Sequence, residues 1–260
     1  MRIRVQGISL GILILLGCLA SIFAQTKEPD APAKTASSSK TPDLSGVWMR
    51  DAPPATAAQY WIYELNQEEP PMTAWGQAQF KAVKSSFGAH EYPLEETNDP
   101  VLRSCYPPGV PRVYMHPFPF QFIQTSGEVV MLFEVDSLRR EIYTDGKPRD
   151  PGLVPLWMGN SIGHWEGDTL VVDTANFNEK TWIDRIGHPH SDQLHVIERF
   201  RRTAPDHLVD DITIEDPKAY TKPWTARLEF KLRPWKLTEQ FCEDGESFMG
   251  LEKKEASQGK

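Results

Sequence analysis

Three cysteines are all that this sequence of 260 residues contains, and several signature motifs of common enzyme classes are missing. There is no phosphate-binding loop, no dinucleotide fingerprint, no His-Glu-x-x-His zinc motif and no cluster of cysteines for a metal. Basic residues are also in deficit, because 28 Lys and Arg face 36 Asp and Glu, for a net charge of −8. A chain without a positive surplus is poorly suited to binding nucleic acid, which we therefore exclude as a partner.

A long membrane-spanning run is also lacking, since the main apolar stretch, residues 8–16, is too short for one. Arg2 and Arg4 precede this stretch, and Ala24 follows it at a plausible cleavage position, so we predict that residues 1–24 are a signal peptide. The alternative is lipidation of Cys18, because Leu-Leu-Gly-Cys at that point resembles a lipobox. Both interpretations predict export to the periplasm or the medium, with a lipid anchor as the one possible membrane contact.

Polar segments frame a single domain. Residues 25–42 are small, polar and proline-bearing, which predicts a disordered linker, and residues 246–260 form a charged tail. Residues 43–245 between them are predicted to fold as one domain. Once Cys18 is removed or lipidated, Cys105 and Cys242 are left in an oxidising compartment, where we expect a disulfide. The alternative is a pair of free, buried thiols.

Aromatic residues and prolines are plentiful, and from about residue 112 the apolar positions recur with the period of two that is typical of strands. Residues 226–233 are the clearest case, with apolar and charged side chains in strict alternation. Ser126-Gly127 and Asp145-Gly146 are turn signals between such runs. The predicted strands are 43–50, 120–125, 128–135, 138–144, two within 162–174, 195–203, 208–215, 224–233 and 236–242.

One segment has helical spacing instead, residues 73–87, with Thr73 at its start and Gly88 after its end. The chain is therefore predicted to be mostly β, an antiparallel meander with one N-terminal helix. The two outer strands of a meander have unpaired edges, and closing the sheet into a barrel pairs these edges with each other.

Several motifs carry a resemblance to a known family. Gly46-Val47-Trp48 looks like the Gly-x-Trp opening of lipocalin-like barrels, in which the Trp plugs the closed end. The runs "SIGHWEGDTLVVDT", "GHPHSDQLHVIERFRR" and "DPKAYTKPWT" resemble a family of exported bacterial proteins, common among acidobacteria and proteobacteria, with no established reaction. The resemblance covers most of residues 42–245, with His164 at a position where Arg is more usual. It implies a lipocalin- or calycin-like barrel.

Three of the predicted strands place one carboxylate each on an apolar face. Val196, Glu198 and Phe200 share a side of their strand, and Asp210 and Glu239 have equivalent positions on two later strands. An ionised carboxylate inside a protein requires a partner, because leaving it unpaired costs several kcal/mol. The partner could be a metal ion, histidines, arginines or a ligand.

Histidines are the first candidates for that partner. His188, His190 and His195 lie within eight residues, directly before and at the start of a strand. With Glu198 or Glu239 they could hold Zn²⁺, Mn²⁺ or Fe²⁺. The proline between the first two makes a loop at the mouth of the barrel more plausible than a strand.

Two other interpretations of the same segment remain open. The histidines and Glu198 could form a metal-free acid–base site. Alternatively, Asp184, His188, Ser191 and Asp192 could form a hydrogen-bonded turn, with His195 capping the strand.

The predicted function is binding of a small, partly apolar molecule in a pocket with polar His and carboxylate groups. The alternative is a metal- or His/Glu-dependent hydrolase, lyase or isomerase on the same scaffold, and a third candidate is an envelope-interaction role. The predicted ligand-binding residues are Tyr114, Trp157, Ser161, Trp182, Asp184 and Glu239.

Overall fold

The computed structural model describes residues 41–51, 64–88 and 90–242. The predicted signal peptide, Cys18, nearly all of the predicted linker and the tail 246–260 lie outside these residues. Within the described ranges, no helix is long and apolar enough to cross a membrane. The strands of this part of the chain are β1 (Gly46–Arg50), β2 (Phe120–Gln124), β3 (Glu128–Phe133), β4 (Arg139–Tyr143), β5 (Asn160–Glu166), β6 (Thr169–Ala175), β7 (His195–Ala204), β8 (His207–Glu215) and β9 (Trp224–Arg233).

These strands form one closed barrel in chain order, because β1 pairs with β9 as well as with β2. Val47 of β1, for example, lies opposite Gln121 on one side and opposite Arg233 across the closing seam. Closure pairs every strand on both sides, so no strand is left at an open edge. The prediction of a mostly β chain closed into a barrel is confirmed.

One pair of neighbours, β4 and β5, is parallel, and two residue pairs join them: Ile142 with Ser161, and Tyr143 with Ile162. A tight hairpin cannot join parallel strands, because the chain must first return to the end of the sheet where the previous strand began. Residues 144–159 make this return along the barrel wall. The predicted all-antiparallel meander is therefore wrong at this one connection.

The helical part of the chain is small. Helix α1 (Ala74–Lys81) begins as predicted, since the Thr73 hydroxyl accepts a hydrogen bond from the Gly76 amide at 3.1 Å. The helix ends before the predicted end, at a point where the Asn98 side chain takes over the backbone hydrogen bonds. Its Nδ2 donates to the Ala82 carbonyl, and its Oδ1 accepts from the Lys84 amide. Two short helices not predicted from the sequence follow, α2 (Pro100–Ser104) and a 3₁₀ helix (Arg112–Met115).

Aromatic side chains fill the inside of the barrel. Trp48, Phe122, Phe200 and Phe230 are fully buried there. The 3₁₀ helix adds the ring of Tyr114, whose centroid lies 5.5 Å from that of Phe120 and 5.8 Å from that of Phe230. The part of the interior that these rings occupy is a packed core.

The predicted last strand, residues 236–242, is not a strand. Its single β-bridge joins Gln240 to Val135, and the Cys242 amide donates to the Asp136 carboxylate at 2.7 Å. Because β9 already pairs with β1, the closed barrel has no free edge for another strand. The segment instead lies along the β3–β4 turn, where Cys242 forms the predicted disulfide with Cys105, with Cα atoms 5.5 Å apart.

Candidate functional site

A cavity of about 630 Å³ lies against the barrel wall where β4 meets β5. We call it the wall cavity. One side is formed by β4 and the start of β5, and the other by the connection 144–159 that the parallel pairing requires. Its lining residues are Pro107, 138–141, Tyr143, Asp145, 147–150, Leu153 and 156–162.

The apolar part of this lining comes mainly from the connection. Leu153 is 42% exposed and Leu156 is 43% exposed, which is high for leucine. Trp157 is half-buried and packs its ring against Tyr106, with centroids 4.7 Å apart. A ligand would cover apolar surface here that now faces solvent.

Arg149 fastens the connection to the barrel. Its Nε donates to the Asn160 carbonyl at 3.0 Å, and its Nη2 donates to the Asp173 carbonyl at 2.9 Å and to the Asp173 carboxylate. These bonds hold the connection against the β5–β6 hairpin. Arg149 therefore links the connection to both β5 and β6 beside the wall cavity.

At the floor of the cavity, Arg140 points from β4 into the barrel and is buried. Its guanidinium binds the Glu198 carboxylate of β7 through both Nη1, at 2.9 Å, and Nη2. It also donates to three hydroxyl groups, those of Ser161 at 3.0 Å, Tyr114 at 2.6 Å and Thr174 at 2.7 Å. All five N–H groups of this side chain are therefore satisfied within the protein.

Glu198 is fully buried, as its position in the alternation of β7 predicts. Besides Arg140, its carboxylate accepts a hydrogen bond of 2.8 Å from the Tyr114 hydroxyl. Burial raises the pKa of Tyr114, and the nearby Glu198 carboxylate raises it further, so this hydroxyl stays protonated and donates. The carboxylate thus has an arginine and a tyrosine as partners, and no histidine.

Asp210 is the second predicted inward carboxylate, and it is fully buried. Its Oδ1 accepts a hydrogen bond from the Arg199 amide at 3.2 Å, whereas Oδ2 has no partner among the described residues. Burial, and then the charge of Glu198, raise the pKa of Asp210 well above its usual value. The Asp210 carboxyl therefore keeps its proton to a higher pH than a carboxyl in water does.

Ser161 lines the wall cavity and lies in the run Gly159-Asn160-Ser161-Ile162-Gly163. The spacing is that of a nucleophile elbow, but an elbow lies on a turn between a strand and a helix. Here the serine belongs to β5, and its buried hydroxyl is bonded to Arg140 and Thr174. None of its contacts is a histidine, so the motif is a coincidence of spacing.

His188 forms an ion pair with Asp184 away from the wall cavity. The His188 Nδ1 lies 2.5 Å from the Asp184 carboxylate, and the imidazole stacks on Phe80 with centroids 4.6 Å apart. Burial alone would lower the pKa of His188, but Asp184, with a smaller effect from Glu69, raises it to about 10. At neutral pH this imidazole is a cation held by a carboxylate.

His190 has both ring nitrogens bonded to neutral groups. One lies 2.8 Å from the Thr181 hydroxyl and the other 3.0 Å from the Ser191 carbonyl. Burial lowers the pKa of His190, so this imidazole is neutral at pH 7. The His190 side chain therefore links its own loop to the segment that carries Thr181.

His195 faces outward on β7, opposite to Glu198, and lies 3.1 Å from Asp173 and 3.3 Å from Glu215. The three histidines therefore have three separate sets of partners. In residues 41–51, 64–88 and 90–242, no group of three or more His, Cys, Asp or Glu side chains is arranged to hold a metal ion. The predicted metal set of His188, His190 and His195 has no support here, because the loop and the strand direct the side chains differently.

The remaining predicted ligand-binding residues lie in three different places. Trp182 packs under the Arg112 guanidinium, 5.2 Å from its ring centroid, and is not part of the wall-cavity lining. Tyr114 and Asp184 are buried in the core and in the His188 pair respectively. Glu239 is exposed, which corrects its predicted inward position, because the segment that carries it is not a strand.

Sequence reasoning found Trp157 and Ser161 in the cavity lining but missed Arg140 and Arg149. Arg140 could have been found, since it shares the apolar face of Leu138 and Ile142 in a strand that was predicted. Arg149 carries no such signal, because it lies in an irregular connection.

No protein-family model matches this sequence, and no curated protein or solved structure is significantly similar to it.

Proposed function

We propose that the protein is an exported, lipocalin-like barrel that binds a small, partly apolar molecule in the wall cavity. The observation that carries this proposal is the cavity itself, with exposed leucines and Trp157 on one side and a satisfied polar floor on the other. Its volume of about 630 Å³ is that of a typical small-molecule site.

The energetics favour an apolar occupant. Burying an exposed leucine side chain completely is worth about 1.5–3 kcal/mol, and a ligand that covers Leu153 and Leu156 can still gain somewhat less than half of that at each residue. At the floor, Arg140 has no hydrogen-bond donor to spare. Specific polar contacts with a ligand are therefore left to other lining groups, such as the Asn160 Nδ2, which has no hydrogen-bond partner among the described residues, and the Arg149 Nη1.

The enzyme alternative has less support from the same geometry. Glu198 is fully engaged by Arg140 and Tyr114, and His188 is a cation at neutral pH, so neither is poised as a general base. His190 has hydrogen bonds at both ring nitrogens. A binding role requires none of these groups to change its protonation.

Export and the lipocalin-like affiliation are part of the proposal. The Cys105–Cys242 disulfide is typical of proteins in oxidising compartments, and the first 24 residues have the pattern of a signal peptide. Trp48 of the Gly-x-Trp motif is fully buried, and the Arg202 guanidinium lies over its ring, 5.3 Å from the centroid.

The test is binding of the neutral fluorophore N-phenyl-naphthylamine to the purified mature chain. We expect saturable binding to one site per chain, with the affinity reduced roughly threefold to tenfold in Leu156→Gln, because the ligand loses apolar contact. Ile123→Gln is the matched control, since Ile123 is a similarly exposed aliphatic residue on β2, outside the cavity lining. Absence of saturable binding, or equal loss of affinity in both variants, would contradict the proposal.

A further inference from the structure

We infer that the wall cavity selects uncharged ligands over anionic ones, and that the Arg149–Asp173 ion pair determines this selectivity. The inference rests on the proposed function, and it concerns the chemical class of the ligand. Four cationic side chains line the cavity, which at first suggests a site for an acid. The structure argues against an acid, because each of these cations already has a carboxylate partner.

The partners are distributed as follows: Arg139 with Glu141, Arg140 with Glu198, Lys147 with Asp145 and Arg149 with Asp173. A further lining carboxylate, Asp150, has no cationic partner among the residues that the structure describes. Its Oδ1 accepts a hydrogen bond from the Gly152 amide. Every cation of the lining is therefore already paired with a carboxylate, and Asp150 adds a negative charge, so a bound anion would find no unpaired cation among the lining residues.

The four cations differ in how strongly they could attract a ligand. Arg139 and Lys147 have side chains that are 73% and 81% exposed, so water and salt screen their charges. Arg140 is buried but has no donor left for a ligand. Arg149 is the one cation of the lining that is partly buried, at 24% exposure, and its Nη1 has no hydrogen bond to any residue in the described part of the chain.

Arg149 is thus the lining cation that would attract an anionic ligand most strongly, and Asp173 is the residue that neutralises its charge. The Asp173 carboxylate also lies 3.1 Å from His195, which holds it in place on the outer side of β6. An anionic ligand would have to compete with this carboxylate for the guanidinium. An uncharged ligand leaves the ion pair intact and still covers Leu153, Leu156 and Trp157.

The experiment compares two probes with the same aromatic skeleton, neutral N-phenyl-naphthylamine and anionic anilinonaphthalene sulfonate (ANS), on the full mature chain. We expect the neutral probe to bind at least tenfold more tightly. Because ANS is intrinsically more hydrophilic, the decisive quantity is the change of this ratio in variants. Asp173→Asn removes the charge that neutralises Arg149 but leaves an acceptor oxygen and the two Arg149 bonds to backbone carbonyls. We therefore expect ANS binding to tighten at least threefold relative to binding of the neutral probe.

Two further variants make the result specific. Asp211→Asn removes an exposed carboxylate that pairs with Arg227 on the β8–β9 surface, and it should leave the ratio unchanged. In the double variant Asp173→Asn/Arg149→Gln, the gain in ANS affinity should disappear. An unchanged ratio in Asp173→Asn, or ANS binding as tight as the neutral probe in the wild type, would overturn this inference alone. Failure of the neutral probe to bind would instead overturn the proposed function.

Discussion

Arg140 of β4 and Glu198 of β7 form a two-pronged ion pair inside the barrel, with each Nη group of the arginine bonded to a different carboxylate oxygen. The two side chains are 1% and 0% exposed, and strands β5 and β6 separate them in the sheet. The pair therefore spans the interior and ties two sides of the barrel together. Arg140 also lines the wall cavity, so the pair supports part of the cavity floor.

Breaking this pair from one side is expected to destabilise the protein strongly. Glu198→Gln removes the one carboxylate that is hydrogen-bonded to the buried Arg140 guanidinium in the described part of the chain, so we expect a loss of about 3–5 kcal/mol in the free energy of unfolding. Urea denaturation followed by tryptophan fluorescence measures this loss. Asp211→Asn, which breaks the exposed pair with Arg227, should cost less than about 1 kcal/mol. Similar losses in the two variants would show that Glu198 is not an essential partner of Arg140.

Asp210 is expected to make the stability fall as the pH rises. Its folded pKa lies well above the unfolded value of about 3.9, so between these two values only the folded chain keeps the proton. Asp210→Asn removes this cost, so we expect the stability of the variant relative to wild type to increase as the pH is raised from 5 to 8. Thermal or urea unfolding at both pH values measures the gain. Asp168→Asn, at an exposed carboxylate in the β5–β6 turn, is the control. A pH-independent difference for Asp210→Asn would contradict the raised pKa of Asp210.

The His188–Asp184 pair is expected to contribute stability that is lost in mildly alkaline solution. The pKa of His188 is about 10 in the folded protein and about 6.5 in the unfolded chain, so the contribution is complete below pH 6.5 and gone by about pH 10. It is on the order of 3–5 kcal/mol. The stability difference between wild type and His188→Gln should therefore shrink steadily between these pH values. His164→Gln, at an exposed histidine, should give a small difference that does not follow this course. Parallel curves for wild type and His188→Gln would contradict the ion pair.

The Cys105–Cys242 disulfide is expected to stabilise the fold by limiting the unfolded chain. It links residues separated by 137 positions, and a loop of that size corresponds to about 4–5 kcal/mol in the chain-entropy treatment. Denaturation midpoints measured with and without a dithiol reductant should differ accordingly. The double variant Cys105→Ser/Cys242→Ser should match the reduced wild type and be insensitive to reductant. A midpoint that reductant does not change in the wild type would mean that the bond is absent or without energetic effect.

Strand positions could be predicted well where both neighbours of a strand are also strands. The prediction for residues 224–233 has the observed bounds of β9, and the inward position of Glu198 followed from the alternation in β7. The same reasoning failed for residues 236–242. There Leu237, Glu239 and Phe241 occupy alternate positions, as Val196, Glu198 and Phe200 do in β7, but the segment is not a strand. Closure of the barrel by β1 and β9 leaves that segment no partner strand, and closure is not a local property.

The candidate site was predicted only in part for a related reason. Trp157 and Ser161 were expected near a pocket because of their residue types, but the pocket itself exists because β4 and β5 are parallel and residues 144–159 must return along the wall. No pattern in the irregular connection indicates that return. His188, His190 and His195 were predicted to bind a metal because they are close in sequence. In the structure each of their side chains has different partners.

The sequence by itself determined the class of fold and the inward positions of Glu198 and Asp210, and it favoured the pairing of two cysteines, because side-chain alternation and residue counts depend only on local geometry and composition. Tertiary structure alone decided which cation meets each buried carboxylate and where a ligand has room. Arg140 and Glu198 are 58 positions apart and come within bonding distance only when the sheet rolls closed. Contacts of that kind depend on strand order and direction, which a one-dimensional pattern does not contain.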